Sequence, residues 1–293
     1  MYLINEQTDW KNITLYLSKR QKEILDHVLR NGEVFVDDLA SEFEVSPQTI
    51  RMDLRELDKA EKLKRTHGGA RAKNGKKNLA YEERKQIAAA EKVRIGQAAA
   101  KLVPDNASLF INIGTTTEAV SDALGQHSGL LIITNNINVA SNLALGEANE
   151  IVVAGGTVRA SDGGIIGEAT VDFINQFMVD FAIIGTSAIA EDGALLDFDY
   201  REVKVSQAIM KNARHVILVA DGTKLGRKAH ARIGHISQID TFVTDAIQSD
   251  DLRQLCLDAD IDIIETKADW LMACRNATGH QDFHLNNISQ TAL

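Results

Sequence analysis

From residue 108 onward the sequence carries seven short apolar runs, each four or five residues long, separated by stretches with helical periodicity. They cover residues 109–113, 130–134, 151–154, 181–185, 216–220, 241–244 and, less purely apolar, 260–264. Runs this short and this rich in Ile, Val and Leu suit strands buried on both faces, as in a parallel sheet covered by helices. The repeated strand–helix alternation predicts an α/β layered domain. In such sheets ligands bind beyond the carboxyl ends of the strands, so the residues just after each run carry the functional signal.

Those residues are polar or glycine. Gly114, Thr115, Thr116 and Thr117 follow the first run and precede a helix. A glycine permits close backbone approach, and free N–H groups at a helix N-terminus suit an oxyanion. The stretch has neither the lysine nor the spacing of a Walker loop, so nucleotide triphosphate binding is not supported. Asn135 and Asn136 follow the second run, and Gly155, Gly156 and Arg159 the third. Thr186 and Ser187 follow the fourth, and the DGTKLGR stretch with Lys224 the fifth. Lys224 is a cationic partner for a phosphate held at Thr115 to Thr117. Each tip alone fits ordinary turn chemistry; five together at one sheet edge predict a binding site.

The N-terminal part has a different pattern. Ile24, Leu25, Val28 and Leu29 form an apolar stripe on a first helix that ends at Asn31-Gly32. A short second helix is expected around Leu39, Ala40 and Phe43. Ser46 is a good N-cap for a third helix, with Pro47 at its first position. On that helix Ile50, Leu54 and Leu57 share one side, and Gln48, Arg51, Met52, Arg55 and Lys59 share the other. Two helices, a short turn and Gln and Arg on the exposed face match a helix-turn-helix that reads the major groove. Gln48, Arg51 and Arg55 are the candidate base or backbone readers, and Ser46 and Thr49 are placed for phosphate. Residues 62–69, with Lys64, Arg65 and His67, are expected to form a hairpin wing against DNA.

Charge supports a basic head on an acidic body. Between residues 46 and 77 ten Lys/Arg face four Asp/Glu, although the whole chain has a formal net charge of -9. Residues 71–77, RAKNGKK, read as a polar hinge. No apolar run approaches the length of a membrane span, and the N-terminus does not resemble a signal peptide. Cys256 and Cys274 lie in no metal or redox motif and read as thiols in a reducing cytoplasm. No cofactor or metal is expected.

Residues 20–70, with SPQTIRMDL and RTHGGA, resemble the DNA-binding domain of DeoR-type bacterial transcriptional repressors. That family commonly has a basic residue where this chain has Met52, which bears on operator preference. Residues 78–265 resemble the sensor domain of the same family. That domain is in turn similar to ribose-5-phosphate isomerase, whose phosphate loop is similar to GTTT and whose strand-end lysine aligns with Lys224. The isomerase's acids follow a middle strand, and the matching GTSAI has none, which implies a binding site without the catalyst. The stretches ASDGGIIGEATVDFINQF and DGALLDFDYREV resemble the subgroup that governs glycerol 3-phosphate metabolism. They contribute Asp162, Glu168, Asp197, Asp199 and Glu202 as candidate readers of substrate hydroxyls, with a metal site or plain surface acids as the competing roles. Arg84 matches a family arginine, for a salt bridge to the body or an effector contact.

The expected organisation is a winged helix-turn-helix at 18–70, a linker at 71–85, an effector-binding and oligomerisation domain at 86–268 and a tail at 269–293. The resemblance implies a cytoplasmic homo-oligomeric repressor, not an enzyme, whose partners are operator DNA and a phosphorylated effector, sn-glycerol 3-phosphate foremost. The alternatives are a repressor of another sugar-phosphate pathway, an isomerase with a DNA-binding head, or a DNA-binding protein whose body only oligomerises.

Overall fold

The computed structural model describes residues 17–31, 33–60, 62–72, 81–144 and 149–266. The expectations for residues 1–16, for most of the hinge and for the tail fall outside these residues.

The head is built from α1 (Lys19–Asn31), β1 (Glu33–Phe35), α2 (Val36–Glu42), α3 (Pro47–Lys59), β2 (Leu63–Thr66) and β3 (Gly69–Ala72). Ser46 starts α3 as expected: its Oγ accepts from the Thr49 N–H at 3.2 Å, and Pro47 follows at the first helical position. Ile24, Val28, Leu39, Ile50, Leu54, Leu57, Leu63 and Ala70 close one small core. Two polar ties reinforce it. Arg20 Nε donates to the buried Asp53 at 2.6 Å, and Gln21 Nε2 donates to Glu56 at 2.6 Å.

The wing forms, with one addition. Residues 33–35 form a strand: β1 pairs antiparallel with β3, giving a three-stranded sheet in the order β1-β3-β2. Gly69 makes this possible. A Cβ at that position would stand 1.9 Å from the Val34 carbonyl oxygen, so only glycine lets the two strands meet.

The body opens with α4 (Tyr81–Gln86) and α5 (Ala89–Ala100). The sequence predicts one helix over 86–102, but the chain breaks at Ala88, which has φ +50°. The physical reason is Lys92. Its amine is buried and donates to the carbonyls of Arg84 and Ile87, which turn away from a continuous helix to meet it.

Next come β4 (Ser108–Ile111), α6 (Thr115–Ala123), β5 (Leu131–Thr134), α7 (Ile137–Leu143), β6 (Glu150–Val153), β7 (Thr157–Arg159), β8 (Gly164–Ile166), α8 (Glu168–Ile174) and β9 (Val179–Ile184). The chain continues through β10 (Ala188–Ile189), β11 (Ala194–Asp197), α9 (Tyr200–Lys211), β12 (Ala213–Val219), β13 (Ala231–His235), β14 (Thr241–Thr244), α10 (Asp250–Asp258) and β15 (Asp262–Glu265). All seven apolar runs become strands of one parallel sheet, in the order β15-β14-β12-β9-β4-β5-β6. Its two faces bury separate clusters, one around Phe110, Leu218 and Phe242 and one around Leu109, Ile132 and Ile217.

Two small sheets stand beyond this frame. The hairpin β7–β8 and the antiparallel sheet β10-β11-β13 use segments that the strand-end tips alone do not reveal. Their strands are only two to five residues long, too short for a period to show.

Leu54 is 1% exposed at the centre of the head. Leu54→Ala is expected to cost the head about 2–5 kcal/mol. Hydrogen exchange should accelerate in peptides from residues 33–60 and stay unchanged across the parallel sheet.

Candidate functional site

The outer face of α3 is as the helical wheel places it. Gln48, Arg51 and Arg55 are exposed, Ile50, Leu54 and Leu57 are buried, and Met52 is 57% exposed among the polar residues. Ser46 is exposed and its hydroxyl lies 2.9 Å from that of the half-buried Thr49. On the wing Lys64, Arg65 and His67 are all exposed. The Arg65 N–H donates to Asp58 of α3 at 3.3 Å, which holds the wing beside the helix. The result is one continuous polar and basic surface made by a helix face and a hairpin.

The second candidate site lies where the strand order reverses. From β4 the sheet runs to β5 and β6; from β9 it runs the other way to β12, β14 and β15. The loops leaving β4 and β9 therefore diverge, and a crevice opens between them. A narrow cleft occupies this place, lined by Arg84, residues 113–117, residues 185–187, Asp197, Glu202, Val219 and Lys224.

Gly114 has φ +151° and delivers the chain into α6. The N–H groups at the start of α6 have no intrahelical acceptors and face outward from the helix end. The Thr117 hydroxyl is internal: it lies 2.7 Å from the carbonyls of both Asn112 and Gly114 and shapes the loop. Thr115 and Thr116 complete the wall. Opposite them, Lys224 ends a 3-10 turn (Gly222–Lys224) capped by Asp221, which accepts from the Thr223 N–H at 3.1 Å. Burial opposes ionisation of Asp221, yet the charges of Lys224 and Lys92 and the Thr223 hydrogen bonds hold its carboxyl below the usual range. Arg84 is the other cation of the cleft, paired with Asp162 at 2.9 Å. Its sequence position alone left that placement open.

Of the candidate effector residues, Gly114, Thr115, Thr116, Thr117, Asp197, Glu202 and Lys224 come together here. The others are elsewhere. Asn135 is fully buried and donates to the Ile165 carbonyl at 3.1 Å. Asn136 caps α7 and donates to Glu118 at 3.1 Å. Gly155 and Gly156 lead into the β7–β8 hairpin, where Gly156 passes so close to Thr170 that a Cβ would lie 2.1 Å from its hydroxyl. Glu168 is exposed and pairs with Lys204 at 3.3 Å.

Arg159 and Asp199 belong to an ionic cluster behind the cleft. Arg159 makes two bonds to Asp162, at 2.8 and 2.7 Å, and reaches Asp199 at 3.0 Å and Glu202 at 2.7 Å. Asp199 caps α9 and also takes Arg201, a bond that leads the causes holding its carboxyl down to about 2. Two acids of DFDYRE, Asp199 and Glu202, are thus engaged by arginines. Among the described residues no group of three or more His, Cys, Asp or Glu is placed to hold a metal ion. Asp197 accepts from the Ser187 hydroxyl at 2.8 Å and from the N–H groups of Phe198 and Asp199 at 2.6 and 3.0 Å. An acid therefore does stand beside GTSAI, delivered by β11 and not by the loop itself.

Glu202 has an unusual state. Burial, reinforced by the charge of Asp197, pushes its carboxyl up to about 8 against the pull of Arg159. The folded protein therefore holds a proton that the unfolded chain releases near 4.5, and it loses stability as pH rises from there through about 8. Glu202→Gln removes this dependence. Thermal unfolding of the wild type should fall relative to the variant between these two pH values, and a constant difference would refute the assignment.

Comparison with known proteins covers both parts of the chain. The DeoR-like helix-turn-helix domain model matches residues 20–76, and the DeoR C terminal sensor domain model matches residues 87–246. The glycerol-3-phosphate regulon repressor of Escherichia coli (strain K12) is 46% identical over 84% of this chain and 98% of its own length. That of Haemophilus influenzae is 48% identical over 78% and 89%. The transcriptional repressor CsqR of Escherichia coli is 37% identical over 85% and 96%. Among solved structures, ribose 5-phosphate isomerase from Methanocaldococcus jannaschii is similar over 47% of this chain and 55% of that one, with 16% identity and a TM-score of 0.35. So partial a likeness carries no correspondence of active-site residues. With one family covering both the head and most of the parallel sheet, the chain belongs to the DeoR family of helix-turn-helix transcriptional repressors.

Proposed function

We propose that this protein represses genes of glycerol 3-phosphate metabolism and leaves its operator when sn-glycerol 3-phosphate enters the cleft between β4 and β9. The observation that carries the effector class is the pairing of two cations, Arg84 and Lys224, with the N-terminus of α6 in one crevice. The relatives named for the glycerol-3-phosphate regulon supply the choice among phosphorylated compounds. Asp197 and Glu202 line the same cleft and suit the hydroxyl end of a polyol; a protonated Glu202 donates where an ionised carboxylate only accepts.

DNA binding belongs to the face formed by Ser46, Gln48, Thr49, Arg51, Arg55, Lys64, Arg65 and His67. Exposed Met52 adds an apolar end suited to a thymine methyl. Paired heads on a homo-oligomeric body would bind two half-sites, in the cytoplasm, where the operator lies. Induction requires that the effector favour a body arrangement whose heads no longer fit the operator.

A second function, sugar-phosphate isomerisation, draws on one observation: Asp197 and Glu202 both reach the cleft. Asp197 already accepts three hydrogen bonds and Glu202 is paired with Arg159, which suits positioning better than proton transfer. Turnover of ribose 5-phosphate by purified protein would favour the enzyme.

Fluorescence anisotropy of the labelled upstream DNA fragment, titrated with protein, tests the repressor. sn-Glycerol 3-phosphate should release the DNA, and glycerol and fructose 6-phosphate should not. Release by a different sugar phosphate alone would move the assignment to another pathway. Arg51→Ala is expected to weaken operator binding by about 1–3 kcal/mol. Unchanged affinity would remove Arg51 from the reading surface. Lys224→Ala should keep operator binding and lose release at effector concentrations that saturate the wild type.

A further inference from the structure

Arg84 stands between two demands. Its Nη2 is bonded to Asp162 at 2.9 Å, while its Nε is buried with no acceptor among the described residues. The same side chain lines the cleft with the N-terminus of α6 and Lys224. A guanidinium has five donors in a fixed fork, and a phosphate suits that fork as well as a carboxylate does. Asp162 does not depend on Arg84, because Arg159 holds both of its oxygens at 2.8 and 2.7 Å. Arg84 is therefore the partner that Asp162 can release without becoming a buried unpaired charge.

The helix carrying Arg84 also touches the head. Glu83, the adjacent residue on α4, pairs with Lys62 at the base of the wing at 2.5 Å, with both side chains largely covered. Within the body, α4 is held at its start by the Tyr81 hydroxyl, which donates to Glu118 at 2.7 Å, and at its end by Lys92. The break at Ala88 makes α4 a helix separate from α5, joined to it by the chain and by the Lys92 hydrogen bonds. The second cation is wired alike. Lys224 belongs to the 3-10 turn against which α1 of the head packs, and Asp221 at the start of that turn faces the charges of both Lys224 and Lys92. Both cations of the cleft thus stand on elements that the head contacts.

We propose that Arg84 is exchanged between Asp162 and the bound phosphate, and that α4 reports this exchange to the DNA-binding head through the Glu83–Lys62 pair. This rests on the cleft being the effector site and adds how its occupancy reaches the wing. A phosphate that draws the Arg84 fork toward α6 shifts α4 and with it Glu83. The effector then favours the arrangement in which the wing is not held at Lys62, and that differential affinity is what a switch requires.

The test measures coupling, not binding alone. Full-length wild type, Glu83→Gln, Arg84→Gln and the exchange Lys62→Glu/Glu83→Lys are titrated on operator DNA, with and without sn-glycerol 3-phosphate or inorganic phosphate. Calorimetry gives ligand affinity for each. Glu83→Gln should bind the effector within about twofold of wild type, yet hold operator without effector only about as weakly as the effector-loaded wild type does, so that effector adds little further release. The effector-induced drop in operator affinity, about 5- to 150-fold for ordinary coupling, should shrink to within about twofold of none. The charge exchange should restore the drop. Arg84→Gln should weaken effector binding by about tenfold or more, the size of one lost charged hydrogen bond. A Glu83→Gln protein that keeps the full wild-type drop, or an Arg84→Gln protein with unchanged effector affinity, overturns the coupling and leaves the effector assignment standing. A wild-type operator complex that ignores both probes overturns the two together.

Discussion

A parallel strand covered by helices on both faces can offer a ligand only its ends. Residues 109–111, 132–133, 182–184 and 217–219 are almost wholly buried, so their side chains serve the core and nothing else. Chemistry is pushed to the carboxyl edge, and the reversal of strand order between β4 and β9 decides where on that edge a cleft opens. The GTTT loop, the Gly185–Ser187 segment and the Lys224 turn meet because β4, β9 and β12 are neighbours in the sheet, although they are far apart in sequence.

Electrostatics then sets the character of that cleft. Four carboxylates, Asp162, Asp197, Asp199 and Glu202, crowd its rear wall, and Arg159 alone touches three of them. Burial, reinforced by the neighbouring Asp197, pushes the carboxyl of Glu202 up to about 8 even though Arg159 is paired with it. Arg84 completes the pairing of Asp162 from the opposite side while facing the space an anion would enter. The cleft therefore carries a cationic front and a carboxylate rear, a polarity suited to a molecule with a phosphate at one end and hydroxyls at the other.

The strands were the most legible part of the fold, because burial on both faces leaves an unbroken apolar run that no turn interrupts. The N-cap of α3 and its two faces were equally plain, since Ser46, Pro47 and the Ile50–Leu54–Leu57 spacing act locally. GTTT and Lys224 could be named because they follow strands directly. Arg159 could not be placed: it follows a strand too, but the β7–β8 hairpin turns it toward α9 and away from the cleft. Asn135 and Asn136 stand outside the cleft for a related reason, since amides that satisfy a carbonyl or cap a helix follow a strand just as ligand groups do. The break at Ala88 defied local propensity, as the alanines around it favour a helix and only the buried amine of Lys92 opposes one. Arg84 depends on how α4 packs over α6, which no spacing encodes.

The covered position of Arg84, with its side chain only 14% exposed, has an environmental consequence. Arg51, Arg55, Lys64 and Arg65, on the face proposed for DNA, are exposed, and phosphate contacts by such cations displace condensed counterions and weaken steeply as salt rises. A largely buried cation is screened far less. The two ligands of this protein are thereby set on different ionic scales. On the proposed reading, a change in ionic strength shifts the grip on DNA while leaving the effector cleft near its original setting, so salt and effector level enter the same output through separate physical channels.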